Sequence, residues 1–279
     1  VLARLPHRSA AVLVMRHGGL SYAEIAAATL TTVFAPTHVA AVSVNHGDLR
    51  AITKFMGLDG SQTLGGFPTP SGSSAARFGT IKWASSGTPQ PVSSLADAAT
   101  RAGFPVSLPP HLPAGVGSVQ RLTVAPRVSV TVTFNATAPG IAGSSVTLDA
   151  GPAVVAEYAA TSAPGVPTLG VVTMPRPTAR STGASMSQIE AFLLKQPGIP
   201  ADLAQEIRLL GNPGTTLPVP VPPGASVRSV RVGGWSGVLV ADPSNAAAAV
   251  VWQAGAGTLH VVAGILDSQD VLNVADQLG

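Results

Sequence analysis

The sequence predicts an α+β fold: an antiparallel β-sheet domain with a few packed helices, preceded by a short helical N-terminal segment. Three observations carry this expectation. The chain holds 30 Gly and 25 Pro among 279 residues, a density of turn formers that suits many short strands better than long helices. Val128-Ser-Val-Thr-Val-Thr-Phe134 alternates strictly between apolar and polar side chains, the period of a strand with one buried and one wet face. Short stretches with helical apolar spacing recur between cap residues, and these supply the helices.

Taken in order, residues 1–30 differ from the rest. Leu2, Leu5, Val12, Leu13, Met15 and Leu20 follow a helical spacing interrupted by Pro6 and by Gly18-Gly19. Ser21 with Glu24 three residues on makes a capping box ahead of Ile25. This segment reads as helix, tight turn, helix. In 31–88, Asp48 is placed to cap a short helix that Gly57 stops. The Gly-, Ser- and Pro-rich run that follows reads as a linker with a short strand at Thr80–Trp83.

From 89 to 279 the pattern is that of one large domain. Ser93-Ser94 opens a helix over Leu95–Ala102 that ends at Gly103, and a polyproline-like crossing runs from Pro109 to Pro113. Strands are expected at 118–125, 127–135, 144–149, 153–159 and 168–174. A helix pair follows at Met186–Lys195 and Pro200–Leu210, and Pro218–Pro223 reads as a rigid connector. Strands at 226–232, 236–241, 248–253 and 257–263 precede a closing helix at Ser268–Leu278. Val250 and Trp252 share a face of their strand, as Leu259 and Val261 do on the next. Val271, Leu272, Ala275 and Leu278 are spaced to lay the helix over that sheet.

Composition narrows the chemistry. Charged residues make up 10%, against roughly 25% in an ordinary domain. The net charge is +3, and the cations are scattered apart from a loose group at Arg4, Arg8 and Arg16, so the bulk of the chain shows no phosphate-binding stripe. There is no cysteine, which removes thiolate sites and disulfides. No run of 18 apolar residues reads as a membrane span, and no signal peptide is visible, so an anchor is expected outside this sequence. The six histidines, His7, His17, His38, His46, His111 and His260, form no helical metal pair, and His260 reads as a structural histidine on a strand. Gly234-Trp-Ser236-Gly237 lacks the strand-to-helix elbow of a hydrolase nucleophile. Carboxylates are single. The expectation is a protein that is not an enzyme and uses no cofactor or metal.

Two stretches resemble known families. Residues 2–28, Leu-Ala-Arg-Leu-Pro-His-Arg-Ser-Ala-Ala-Val-Leu-Val-Met-Arg-His-Gly-Gly-Leu-Ser-Tyr-Ala-Glu-Ile-Ala-Ala-Ala, resemble region 4 of extracytoplasmic-function sigma factors. The basic recognition helix of that family is missing, since the chain continues Thr29-Leu-Thr-Thr-Val-Phe. Arg4, Arg8 and Arg16 are therefore expected to touch DNA phosphates at most, with DNA binding weak or absent. Ser94-Leu-Ala-Asp-Ala-Ala-Thr-Arg-Ala-Gly-Phe-Pro-Val-Ser-Leu-Pro-Pro-His-Leu-Pro-Ala-Gly, together with Gly233-Gly-Trp-Ser-Gly-Val-Leu-Val, the Trp252 strand and the run from His260 to Leu278, is similar to a domain of unknown function on the outer side of bacterial membrane-anchored anti-sigma-type proteins.

The resemblances imply a non-catalytic regulatory protein linked to sigma-factor control, its main part an extracytoplasmic sensor or interaction domain that is membrane-anchored in the parent protein. They imply a sigma factor or RNA polymerase as partner of the N-terminal segment, and an unknown protein or envelope ligand for the large domain. The alternative is a sigma-type DNA-binding initiation protein with a C-terminal regulatory extension, cytoplasmic if the sigma-like segment is functional.

Overall fold

The computed structural model describes residues 36–45, 47–48, 63–64, 67–68, 72–76, 78–196, 199–209, 214–255 and 257–279. The expected helix pair at 1–30, with Arg4, Arg8 and Arg16, lies outside the described residues, as do residues 49–57 of the short helix. Asp48 does not occupy the cap position. Asn45 Oδ1 accepts from the backbone N–H of Gly47 at 2.7 Å and of Asp48 at 3.0 Å, and Asp48 Oδ2 accepts from Asn45 N–H at 2.8 Å. The pair is a reciprocal capping box with Asn45 as the cap.

The α+β expectation is overturned. Among the described residues 49% lie in strands and 15% in helices, so this is a mainly β protein. The strands are β1 (His38–Ser43), β2 (Thr63–Leu64), β3 (Phe67–Pro68), β4 (Gly72–Ala76), β5 (Gly79–Ser85), β6 (Gln90–Pro91), β7 (Val116–Ala125), β8 (Val128–Phe134), β9 (Ser145–Ala150), β10 (Ala153–Ala160), β11 (Ala163–Pro175), β12 (Thr178–Thr182), β13 (Thr216–Val221), β14 (Ser226–Val232), β15 (Trp235–Ala241), β16 (Ala248–Ala254) and β17 (Thr258–Gly264). The helices are α1 (Leu95–Ala102), α2 (Met186–Leu193), α3 (Ala201–Leu209) and α4 (Ser268–Asp276). Each helix has only eight or nine residues. About two turns of helix cannot build a layer of their own. They serve as covers on sheets that the Val- and Thr-rich sequence favours.

Two large sheets dominate, an eight-stranded one ordered β14-β15-β16-β17-β11-β10-β7-β6 and a five-stranded one ordered β12-β9-β8-β5-β4. They share their chain path. β7 passes into β8 through Pro126-Arg127, β9 into β10 through Gly151-Pro152, and β11 into β12 through Arg176-Pro177. The register brings the three links side by side: Ala125 pairs with Ala153 on one side of the seam and Val128 with Ala150 on the other. Each link is two residues long, so side-chain alternation carries across it. Leu122 and Val124 on β7 face one core, and Val130 and Val132, of the same parity on β8, face the next. Strands β4 and β5 come from the span that reads as linker, yet β5 pairs with β8 along its whole length and buries Ile81 and Trp83.

The helix-covered face of the eight-stranded sheet holds the larger core, in which Trp252, Val250, Val262 and Tyr158 meet α1 and α4. Val271, Val274 and Ala275 of α4 are fully buried there. On β17 it is His260 and Val262 that share the side of Trp252 and Val250, because His260 pairs with Trp252 and Val262 with Val250. Leu259 and Val261 point to the opposite face, where β1 and β13 pack. β13 replaces the expected rigid connector and pairs parallel with β1. Pro218 and Pro220 have no N–H to donate, which is tolerated because β13 is bonded on one side only.

Candidate functional site

The eight-stranded sheet ends at β14, which is hydrogen-bonded to β15 alone among the described strands. The hairpin between them is set by its turn. Val232 pairs with Trp235, and Gly233 and Gly234 between them have φ of 54° and 89°. A two-residue turn with both central residues at positive φ matches the twist of the strands it joins, and glycine is the residue that enters it without steric cost.

One side of β14 is anchored. Val232 is fully buried, and Val230 packs against the same core beside α4. The rest stands clear: Val227 and Trp235 are each 43% exposed, and Ser226, Arg228, Ser229 and Arg231 are exposed as well. The Arg231 guanidinium donates to the Gly234 carbonyl at 2.9 Å, which lays it along the turn. No carboxylate occurs on β14 or β15. The site is thus an open strand edge with two arginines and two uncovered apolar side chains.

Behind the hairpin lies a buried polar row. Gly237 pairs with Trp252, Trp252 with His260, and His260 with Thr173. A Cβ on Gly237 would stand 2.8 Å from the Trp252 Cβ, so glycine is what admits the indole there. The Trp252 and His260 rings are stacked with centroids 5.0 Å apart, and His260 Nδ1 shares a 3.3 Å contact with the Thr173 hydroxyl. Burial lowers the His260 pKa to about 4. The imidazole is neutral and serves as packing, with Trp252 Nε1 left without a partner beside it.

The other described histidines, His38 and His111, stand apart, and His7, His17 and His46 lie outside the described residues. His38 is exposed and bridges the Thr37 and Thr216 hydroxyls, each at 3.0 Å, which ties β1 to β13. The His111 backbone N–H donates to Gln277 Oε1 at 2.8 Å, joining the proline-rich crossing to the end of α4. Ser236 of the Gly234–Gly237 run lies within β15. No group of three or more His, Asp or Glu side chains gathers as a metal site among the described residues.

Of the residues singled out in the sequence, Arg4, Arg8 and Arg16 fall outside the described residues. The sequence predicts the strand at 226–232 but not its place at the sheet edge. The signal was present in Ser-Val-Arg-Ser-Val-Arg-Val followed by Gly-Gly, since arginines at three-residue spacing put one on each face of a strand. Compared with known protein families, curated proteins and solved structures, the chain matches none of them.

Proposed function

We propose that this chain is a non-catalytic regulatory protein linked to sigma-factor control. Its main part is an anti-sigma-type extracytoplasmic sensor and interaction domain that docks an extended acidic segment of a partner protein along β14. The observation that carries the docking reading is the composition of that edge. Exposed edges are normally blunted by charge; here Arg228 and Arg231 supply charge, yet Val227 beside Arg228 and Trp235 across the turn from Val232 are left open. An added strand gains affinity from backbone hydrogen bonds and specificity from alternate side chains. The two arginines select acidic residues, and the two apolar side chains supply contact area.

The domain reading draws support from packing. The stretch at 94–115 and the stretch at 233–278 are far apart in sequence and resemble one family. In the fold Phe104, Val106, Leu108 and Leu112 from the first pack on the same core as Trp252 and α4 from the second. The tie to sigma control rests on the resemblance of residues 2–28.

A synthetic Val–Glu peptide with its glutamates three residues apart, so that one falls on each face as Arg228 and Arg231 do, is expected to bind the purified chain and to protect the β14 backbone amides from hydrogen exchange. Changing Arg228 and Arg231 together to Glu is expected to weaken it about tenfold. Equal binding of a Val–Lys peptide, or exchange protection that leaves β14 unchanged, would overturn the docking assignment. Association with RNA polymerase or a sigma factor is expected to be lost on deleting residues 1–30, while peptide binding persists.

A further inference from the structure

The five-stranded sheet sends Ile81, Trp83, Val130, Val132 and Phe134 into its aromatic core. The residues between them form its opposite face. Across the middle of that face the register aligns Arg180, Thr147, Thr131 and Lys82 on four adjacent strands, a span of about 14 Å at the usual strand spacing. The Thr131 and Thr147 hydroxyls lie 3.0 Å apart. The rows on either side repeat the arrangement: the Ser145 and Thr182 hydroxyls are 2.6 Å apart, and the Ser129 hydroxyl donates to Asp149 at 2.5 Å. Lys82 and Arg180 at the two ends are exposed, as is Arg127 at the seam. None of the three forms an ion pair among the described residues. Asp149 is the only carboxylate on β5, β8, β9 and β12.

We infer that this face binds an anionic polysaccharide, a hydroxyl-rich chain that carries acid groups along its length. A polar outer face is ordinary for an antiparallel sheet, but such faces usually mix both signs of charge. Here cations flank a held array of hydroxyls, each of which both donates and accepts. That array suits a partner made of hydroxyls. The cations stand at the two ends of the row, about 14 Å apart, where each can meet an acid group of one chain laid across the face.

Nucleic acid fits less well, because single strands are held on stacking aromatic side chains and no position on this face of β5, β8, β9 or β12 is aromatic. An acidic peptide would lack the apolar anchors that β14 offers. The inference deepens the sensor reading by naming the class of envelope ligand, and it rests on that reading.

The test uses the full chain with polygalacturonate as probe, dextran as the neutral polymer, and oligo-dT and polyglutamate as other polyanions. Polygalacturonate is expected to bind, more weakly at about 200 mM than at about 50 mM salt, and dextran is not. The double variant Lys82→Glu, Arg180→Glu is expected to lose affinity about tenfold or more, and Thr131→Val with Thr147→Val to lose affinity while the unfolding midpoint holds. Lys195→Glu, a charge change away from this face, is expected to leave binding as it was. Oligo-dT or polyglutamate binding as tightly as polygalacturonate would overturn the assignment of a sugar polymer. Absence of polygalacturonate binding in a chain that still binds the Val–Glu peptide on β14 would overturn this inference alone and leave the docking reading standing.

Discussion

At the scale of single residues, His260 shows how burial sets a charge state. Its folded pKa lies near 4 because the ring is removed from water against Trp252, while in the unfolded chain it is near 6.5. The unfolded state therefore binds more protons between these values. The stability that the neutral ring permits is complete above about pH 6.5 and is lost as pH falls toward 4, by roughly 3 kcal/mol in all. Urea unfolding at pH 7 and pH 4.5 measures this directly, and His260→Gln is expected to flatten the difference. Asp242 belongs to a lower window. Burial pushes its pKa up, but hydrogen bonds from the Ser244 hydroxyl and the backbone N–H groups of Ala247, Ser244 and Ala246 outweigh that and hold it below the usual range. Its contribution is lost only in more acid solution, so the two effects separate by pH.

At the scale of elements, local chemistry explains which parts could be read from the sequence. The helix at Leu95–Ala102 is found with those bounds because both ends are written locally: Ser94 accepts from the Asp97 N–H, and Gly103 closes the helix at φ 76°. The helix after Ser185 is likewise fixed by a capping box with Gln188. Replacing Ser185 by Ala is expected to cost about 1 kcal/mol, read as a lower urea midpoint with α2 still packed through Phe192 on Phe78 and Phe134.

The elements that escaped are those whose reason to exist lies far away in sequence. β13 looks like a connector because of Pro218 and Pro220, and only its pairing with β1 makes it a strand. β12 and β4 are five residues each and are held by neighbours across the sheet. The β14 edge was visible as a strand, but its openness was not, since an edge is defined by the strand that is missing beside it.

At the scale of the whole molecule, the three aligned links decide how the protein comes apart. Each of β7–β8, β9–β10 and β11–β12 runs through the seam, so neither half can lose its strands without pulling on the other. Trp83 lies in the core of the five-stranded sheet and Trp252 in that of the eight-stranded one. Variants that keep only one of these two indoles, with Trp235 replaced by Phe, are expected to report coincident urea transitions. Separate midpoints would show two units that unfold independently. The same sharing accounts for the correction of fold class. The helices from Leu95 onward are short, and the sheets that they cover are larger than any local stretch reveals.

The parallel pairing of β1 with β13 has a kinetic side. His38 and Thr216 touch across 178 positions of sequence, and no tight turn can bring parallel neighbours together. Closing so long a loop is entropically costly and slow. β1 therefore has nothing to pair with until β13 has been synthesised and the sheet beneath it has formed. The strand nearest the N-terminus of the described fold is among the last to be set, and the apolar face of Val251 and Leu259 stays open until it arrives. During that interval the nascent chain is most exposed to association with other chains.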